Sequence, residues 1–439
     1  MNTFKKTLWL AAAIVGIALS ACGGGGSSGA STSQGNNSVS WNATPDWQGG
    51  SSGGSNNSGA GGNTSDIKTD PSNSVTIHVD NTMGSFNMPY AAIKVCVPGA
   101  QSPSQCVTVD HMLIDTGSTG VRIAASALQS LAPQLLTQAG AVDDTSGAFP
   151  IAECMQFGSG FTWGSVKRAD ITIGTRTAGN IPIQVMGDGA FNTPSDCANS
   201  GGADLSTPRK LGANGILGIG NFTQDSKDAI DNAVPGIYYY CASQSSCTST
   251  RMTAAKEVMN PVAAFDADYN GTVIRLPSVP ASGQSSVAGQ LIFGVGTQSN
   301  NALPTNANIL AVDKYGDITT QYQGSVFNRS AIDSGTNAYA FPDDTIARTG
   351  NWYTPANVLN LTATMEATNG SGAPFQMNFP IDSELSLTAG GNAAYNNLGM
   401  YFSYNRMFLW GLPFFYGRSV YTVIGTSKIG THTGPFVAF

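Results

Sequence analysis

The residues His-Met-Leu-Ile-Asp-Thr-Gly-Ser-Thr-Gly-Val-Arg-Ile occupy positions 111–123, where an apolar run ends on Asp115. Such a run predicts a β-strand, and the Thr-Gly-Ser that follows predicts a tight loop at its end. The pattern returns in the second half of the chain as Ser-Ala-Ile-Asp-Ser-Gly-Thr, residues 330–336, around Asp333. Each carboxylate is therefore expected at the end of a strand, among hydroxyls and backbone N–H groups.

The composition is that of a β-rich globular protein. Hydrophobic residues make up 41% of the 439 residues, charged residues only 11%, and glycine is abundant at 53 residues. These values favour an all-β fold with many turns over a helical bundle, and the length suffices for two lobes with their own cores. The net charge of −7, without a basic stripe, argues against a nucleic-acid partner.

The two Asp loops resemble the active-site loops of pepsin-like aspartic peptidases. The hairpin pattern at 156–174 resembles the flap of that family, which covers bound substrate. Its residues are Phe157, Gly158, Ser159 and Gly160, and Phe157 stands where the family usually has Tyr. The resemblance implies an all-β, bilobal fold with a cleft between two related β-lobes.

Further segments resemble the same family in the expected order. Asn214–Gly220 and Trp410–Tyr416 resemble the segments that pass beneath the two catalytic loops. Gly289–Gly296 resembles the strand between the lobes. The resemblance extends from about Ser74 to Phe439.

The resemblance implies that Asp115 and Asp333 form a catalytic dyad. Two adjacent carboxylates share one proton, so the ionised one can activate water while the protonated one polarises the peptide carbonyl. The groups that would support the dyad are Thr116, Gly117, Ser118, Ser334, Gly335 and Thr336. The expected partner is an extended peptide or protein substrate in the interlobe cleft, and the chemistry needs no cofactor.

Other classes of function are less consistent with the sequence. A Ser-His-Asp hydrolase needs a placed histidine, and His78, His111 and His432 have no such context. A glycosidase uses two carboxylates but does not need a Gly-hydroxyl loop around each. A catalytically silent pepsin-like protein, acting as a peptide-binding or cell-envelope scaffold, stays open as the alternative to an aspartic endopeptidase. Arg122, where the family commonly has Trp, and Phe157 are departures near the flap.

The N-terminus has the features of an export signal. Lys5 and Lys6 precede the apolar run 8–19, which is short for a membrane span. Leu-Ser-Ala-Cys, ending on Cys22, resembles the lipobox of bacterial lipoproteins, which implies lipidation of this cysteine and membrane attachment through it. Gly23, in place of a retention-signal Asp, suggests the outer membrane, with the globular part in the periplasm or at the cell surface. An ordinary secretory signal is the alternative.

These observations predict four segments and a monomer. A signal peptide covers 1–21, and a Gly/Ser/Asn-rich flexible tether covers 22–73 because it has too few apolar residues to fold. The N-terminal β-lobe, 74–280, carries the first loop and the flap, and the C-terminal β-lobe, 281–439, carries the second loop. Within the second lobe, Phe341-Pro342-Asp343-Asp344 predicts the start of a short helix.

Six cysteines remain besides Cys22, an even number that fits three disulfides in an exported protein. Proximity suggests Cys96–Cys106, Cys154–Cys197 and Cys241–Cys247, although six cysteines allow many pairings. No metal site is predicted, since there is no Cys-x-x-Cys motif. The segment 265–272 resembles a calcium loop, but Pro277 occupies the position of the required glutamate.

Replacing Cys22 by Ser should release the protein into the soluble exported fraction, because the acyl chains that would anchor it attach to this sulfur. Membrane fractionation together with labelled fatty-acid incorporation measures the change. Membrane association that persists in Cys22→Ser, with no label in either form, would contradict the lipoprotein interpretation.

Overall fold

The computed structural model describes residues 72–199, 202–404 and 406–439, which belong to one compact unit. The expected signal peptide, Cys22 and nearly all of the expected tether lie outside the described residues. Among the residues described, no helix has the length and apolar character needed to cross a membrane.

Short apolar or alternating runs form the strands of the first part of the chain, as expected for residues that pack well on a pleated surface. These strands are β1 (Ser74–Val79), β2 (Pro89–Cys96), β3 (Cys106–Asp115), β4 (Thr119–Ala124), β5 (Leu136–Thr137), β6 (Ile151–Phe157), β7 (Gly160–Ile173), β8 (Arg176–Met186), β9 (Ala203–Asp204), β10 (Gly215–Ile219), β11 (Tyr238–Ser243), β12 (Ser246–Ser249), β13 (Gly271–Arg275) and β14 (Val287–Phe293). Between them lie short helices, α1 (Ala125–Leu128), α2 (Ser195–Ala198), α3 (Pro208–Leu211) and α4 (Lys227–Asp231).

The second part is built in the same way. Its strands are β15 (Ile309–Ala311), β16 (Ile318–Tyr322), β17 (Ser325–Ile332), β18 (Tyr339–Phe341), β19 (Arg348–Thr349), β20 (Trp352–Tyr353), β21 (Leu359–Glu366), β22 (Phe375–Ile381), β23 (Gly399–Tyr401), β24 (Leu409–Trp410), β25 (Ser419–Val423), β26 (Lys428–Ile429), β27 (His432–Thr433) and β28 (Phe436–Ala438), with one helix, α5 (Glu384–Thr388), in the described residues. Short 3-10 turns cover Pro103–Gln105, Gln129–Gln134, Ala254–Lys256, Val262–Ala264, Ser299–Asn301 and Leu412–Phe415.

Each Asp loop is held by a strand from far along the chain. β10 pairs in parallel with β3 and antiparallel with β4, which places Gly218 opposite Asp115. In the second part, β24 pairs in parallel with β17 and antiparallel with β18. Both loops therefore have the same topology: a central strand fills the gap between the strand that enters the loop and the strand that leaves it.

A large sheet joins the two parts of the chain. β14 pairs with β1 and β13, β13 pairs with β25, and β28 pairs with β25 and β15. A second sheet contains β16 to β24. Strands from both sides of residue 280 thus share the larger sheet, and the expected lobe boundary there stays a prediction.

The repeated loop topology and the two large sheets confirm the predicted all-β, bilobal, pepsin-like fold. Its main core contains aliphatic side chains from both Asp-loop regions, including Ile114, Val121, Leu217 and Ile332. Burial of these side chains fixes the ends of β3 and β17, where the acidic residues lie.

The three expected disulfides are present. Cys96–Cys106 joins β2 to β3, Cys154–Cys197 joins β6 to α2, and Cys241–Cys247 joins β11 to β12. Proximity in sequence was sufficient to identify them.

The prediction that a helix starts at Phe341–Asp344 is wrong. The chain forms a turn there because the Asp343 carboxylate accepts hydrogen bonds from the Thr345 N–H at 2.9 Å and from the Thr345 hydroxyl at 2.6 Å. The Tyr322 hydroxyl donates to the same carboxylate at 2.7 Å. Such side-chain bonds compete with helix formation.

Removing a disulfide should destabilise the protein more when the loop that it closes is longer, with a logarithmic dependence on loop length. Cys154 and Cys197 are 43 positions apart and Cys241 and Cys247 only 6. The double Ala variant of the first pair should lose about 4 kcal/mol of unfolding free energy, and that of the second about 2 kcal/mol. Denaturant titration measures both, and a reversed order would contradict the chain-entropy explanation.

Candidate active site

The two Asp loops are locked together by four crossed hydrogen bonds. The Thr116 hydroxyl donates to the Ile332 carbonyl at 3.0 Å, and the Ser334 hydroxyl donates to the Ile114 carbonyl at 2.7 Å. In return, the Ser334 N–H donates to the Thr116 hydroxyl at 3.0 Å, and the Thr116 N–H donates to the Ser334 hydroxyl at 3.1 Å. Each hydroxyl thus acts as donor and acceptor, and the network has near two-fold symmetry.

Each carboxyl group also has matching partners inside its own loop. The Gly117 N–H donates to Asp115 Oδ1 at 2.8 Å, and the Ser118 hydroxyl donates to Asp115 Oδ2. In the second loop, the Gly335 N–H donates to Asp333 Oδ1 at 2.8 Å and the Thr336 hydroxyl donates to Asp333 Oδ2 at 2.7 Å. Four of the six residues singled out in the sequence thus bond to the Asp of their own loop, and the other two, Thr116 and Ser334, bond to the opposite loop.

The carboxyl groups of Asp115 and Asp333 lie close enough for each to change the pKa of the other. Glycine is required at 335, because a Cβ added there would lie 2.7 Å from Asp115 Oδ1. Both acidic side chains are fully buried, at 0% exposure. Two carboxyl groups this close together and away from water cannot both ionise cheaply, so they hold one proton between them.

The pKa values of the two carboxyls are raised by burial and depend on each other. Burial raises the pKa of Asp333 well above its usual range, and the negative charge of Asp115 raises it further. Burial also raises the pKa of Asp115, while hydrogen bonds from its neighbours and the charge of Arg122 act in the opposite direction. The two carboxyls therefore titrate as a pair that loses its protons in two separate steps.

The hairpin resembling a flap is formed by β6 and β7. Phe157 pairs with Gly160 across the two-residue turn Gly158–Ser159. The Phe157 ring is only 2% exposed and packs in an apolar cluster with Met88, Tyr90, Leu113 and Ile216, among others. The tip of the hairpin thus points its aromatic side chain into the protein rather than into solvent.

The outer edge of the hairpin is covered. β9 pairs in parallel with the start of β7, with Ala203 opposite Gly160, where an added Cβ would lie 2.0 Å from the Ala203 carbonyl oxygen. The disulfide Cys154–Cys197 ties the same hairpin to α2. The hairpin and the segment that follows β8 are therefore one packed unit.

A pocket opens beside the two loops. Its walls come from residues 116–119, 154–156 and most of 220–228 on one side, and from 314–318 with 329, 331 and 332 on the other. Apolar side chains (Phe222, Ile237, Ile332) and charged ones (Asp228, Asp317) share the lining. The pocket reaches the loop residues next to both Asp side chains.

Sequence reasoning missed a buried charged group beside this pocket. Arg122 was noted only as a departure from the family pattern, and Glu153 and Asp225 were not considered. The signal that could have found them is a charged residue inside an otherwise apolar strand, as in Val-Arg-Ile at 121–123 and Ala-Glu-Cys at 152–154. Such residues are buried only when they are paired.

Residues 69–439 match the model of the family described as "Protein of unknown function (DUF3443)", and the chain belongs to that family. No curated protein matches the sequence. Among solved structures, the chain is similar to the aspartic proteinase from Irpex lacteus, with 14% identity and a TM-score of 0.42, over 83% of this chain and 96% of that one.

Asp317 on the pocket wall should make the protein less stable as pH rises. Burial and the charge of Asp313 raise its pKa to about 7, although Arg329 lies 3.5 Å away. The folded state holds this proton more tightly than the unfolded chain, so stability is lost between about pH 4 and pH 7. Asp317→Asn should be more stable than wild type by about 4 kcal/mol above that range and similar to it below.

Thermal unfolding across the pH range measures this difference. Asp266→Asn, at an exposed position, is the matched control and should leave the pH dependence unchanged. Parallel wild-type and Asp317→Asn curves would contradict the assignment of a buried, protonated Asp317.

Proposed function

We propose that this chain is an aspartic endopeptidase that uses Asp115 and Asp333 to activate water and is attached to the bacterial outer membrane through lipidated Cys22. The observation that carries the proposal is that crossed hydrogen bonds bring the two Asp loops together, with each carboxyl bound by a glycine N–H and a hydroxyl of its own loop. A structural ion pair joins an acid to a base, whereas two buried acids placed side by side are favourable only when they share a proton.

A pair of carboxyls with one proton suits the two roles that amide hydrolysis requires. Ionised Asp115 accepts a proton from water as the oxygen attacks the peptide carbonyl, while Asp333 gives its proton to the carbonyl oxygen. The proton gained by Asp115 then passes to the leaving nitrogen, and Asp333 recovers its own when the carbonyl forms again. The crossed bonds of Thr116 and Ser334 keep the geometry fixed, so little reorganisation is needed.

The expected substrate is an extended peptide with apolar residues near the cleaved bond. The pocket beside the loops runs between walls from both parts of the chain and carries Phe222, Ile237 and Ile332. Its charged groups, including Asp228 and Asp317, provide polar partners along the same walls. A cleft that is apolar with a few placed polar groups is typical of a binding site.

A binding or cell-envelope scaffold without catalysis is the second candidate. The burial of both Asp side chains at 0% exposure favours it, because a water molecule has to reach them for hydrolysis. The pairing of β9 along the edge of the β6–β7 hairpin also favours the scaffold function, because it restrains the hairpin that would have to move to admit a substrate. The two candidates differ in one measurable property, which is cleavage.

Folded wild-type protein lacking the tether should cleave members of a peptide library, with activity between about pH 3 and pH 7. Activity should fall at low pH as the dyad takes up a second proton, and at high pH as it loses its remaining proton. Asp115→Asn and Asp333→Asn should each lower kcat by about 1,000-fold or more, because each variant removes a group that moves a proton.

Circular dichroism and thermal unfolding verify that both variants fold. Cleavage that persists in either folded variant would assign the activity to another site or to a contaminant. If the folded wild type cleaves nothing over this pH range, the scaffold function replaces the peptidase.

A further inference from the structure

Five side chains form a buried charged cluster next to the first Asp loop. We call this set the Arg122 cluster; its members are Arg122, Glu153, Asp225, Tyr238 and Glu257. The side chains of Arg122 and Glu153 are 0% exposed and that of Asp225 is 1% exposed. Tyr238 and Glu257 are also fully buried. Burying one cation with three carboxyls is costly, so each charged group needs hydrogen-bond partners inside the cluster.

The Arg122 guanidinium bonds to the start of its own strand and to two other segments. Nη1 donates to the Thr119 carbonyl at 2.7 Å, where β4 leaves the Asp115 loop. Nη2 donates to Glu153 Oε1 at 2.6 Å, on the strand that leads into the hairpin, and to Asp225 Oδ2 at 2.7 Å, on the pocket wall. A planar guanidinium presents its donors in a rigid fork, so these three segments are held in fixed relative positions.

Tyr238 extends the network across the pocket wall. Its hydroxyl donates to Asp225 Oδ1 at 2.8 Å and accepts from the Val258 N–H at 2.8 Å. Gly120 lies against the same segment, since a Cβ added to it would be 2.5 Å from Val258 Cγ1. The loop after Asp115 is therefore packed on residues that the cluster orders.

Protons balance the charge of the cluster. Burial and the charge of Glu153 raise the pKa of Asp225 well above its usual range, and Asp225 and Glu153 share a hydrogen bond that needs one proton. Burial raises the pKa of Glu257 to about 8. In acid, therefore, the positive charge of Arg122 is not cancelled by three carboxylates and acts on Asp115, whose pKa it lowers.

We propose that Arg122 is a positioning residue that holds the β6–β7 hairpin and the Asp115 loop in register, and that its positive charge beside the first Asp loop favours the singly ionised dyad. The inference deepens the proposed function. Its electrostatic role rests on that function, and its positioning role does not. The groups that face Arg122 are Glu153 on β6, Asp225 on the pocket wall, Tyr238 on β11, Glu257 before the Val262–Ala264 turn, and Asp115 on β3.

The first measurement is hydrogen exchange of the hairpin amides, residues 151–173, which needs no activity. Arg122→Met/Glu153→Gln removes the pair without leaving an unpaired buried charge on Glu153, and should increase exchange there by about tenfold or more. Arg122→Lys should give a smaller increase, because Lys keeps the charge but not the fork. Arg176→Met/Asp268→Asn is the matched control, since it removes an ion pair of 2.5 Å outside the cluster and the pocket.

Strands β21 and β22 serve as the internal reference. Exchange that rises equally in these strands would show a loss of global stability alone and would overturn the positioning role. Unchanged exchange of residues 151–173 in the double variant would overturn it as well.

The second measurement is the pH dependence of kcat/KM for a cleaved peptide. Loss of the Arg122 charge should move the acid limb to higher pH by about half a unit, and Arg122→Lys should restore most of this shift. An acid limb that stays in place, in a double variant that still cleaves, would overturn the electrostatic part. If wild type cleaves nothing, the proposed function fails, while hydrogen exchange still decides whether Arg122 positions the hairpin.

Discussion

The structure depends on the crossed hydrogen bonds between the loops of Thr116 and Ser334. These bonds bring the ends of β3 and β17 together although Asp115 and Asp333 are more than 200 positions apart in the chain. Repulsion between two buried acids would otherwise push the loops apart. Four bonds among neutral groups, each about 3 Å long, oppose that repulsion. β10 and β24, which pair behind the two loops, make the arrangement rigid, because a loop cannot move away from the other without breaking the strand pairing behind it.

Buried acids recur around this centre, and each is stabilised by a different means. The dyad shares a proton, Asp317 keeps one near Arg329, and the Arg122 cluster combines a guanidinium with protonated carboxyls. The pKa values of Asp115, Asp333, Asp317, Asp225 and Glu257 are all raised, so these acids affect stability with the same sign: the folded state gains in acid and loses as pH rises. Acidic pH therefore stabilises the folded state and also favours the singly ionised dyad. The proposed chemistry and the stability of the protein thus have the same pH preference.

Local sequence patterns were sufficient for the loops, the hairpin turn and the disulfides, since each depends on residues close in sequence or on a repeated motif. The turn at Asp343 was missed because the Asp343 carboxylate accepts hydrogen bonds from Thr345 that compete with helix formation. The Pro and acidic residues that mark a helix start do not reveal this competition. The Arg122 cluster was missed because Glu153, Asp225 and Glu257 come from distant segments. Only the folded chain shows that these charges meet, and that Phe157 turns inward.

The inward position of Phe157 means that the β6–β7 hairpin is closed onto the body of the protein. The disulfide Cys154–Cys197 ties this hairpin to α2, and β9 pairs along its outer edge. Any movement that lifts the hairpin would therefore have to carry α2 with it and break the pairing with β9. The disulfide makes the hairpin and α2 move as one body, so the redox state of two cysteines sets how freely the hairpin can move.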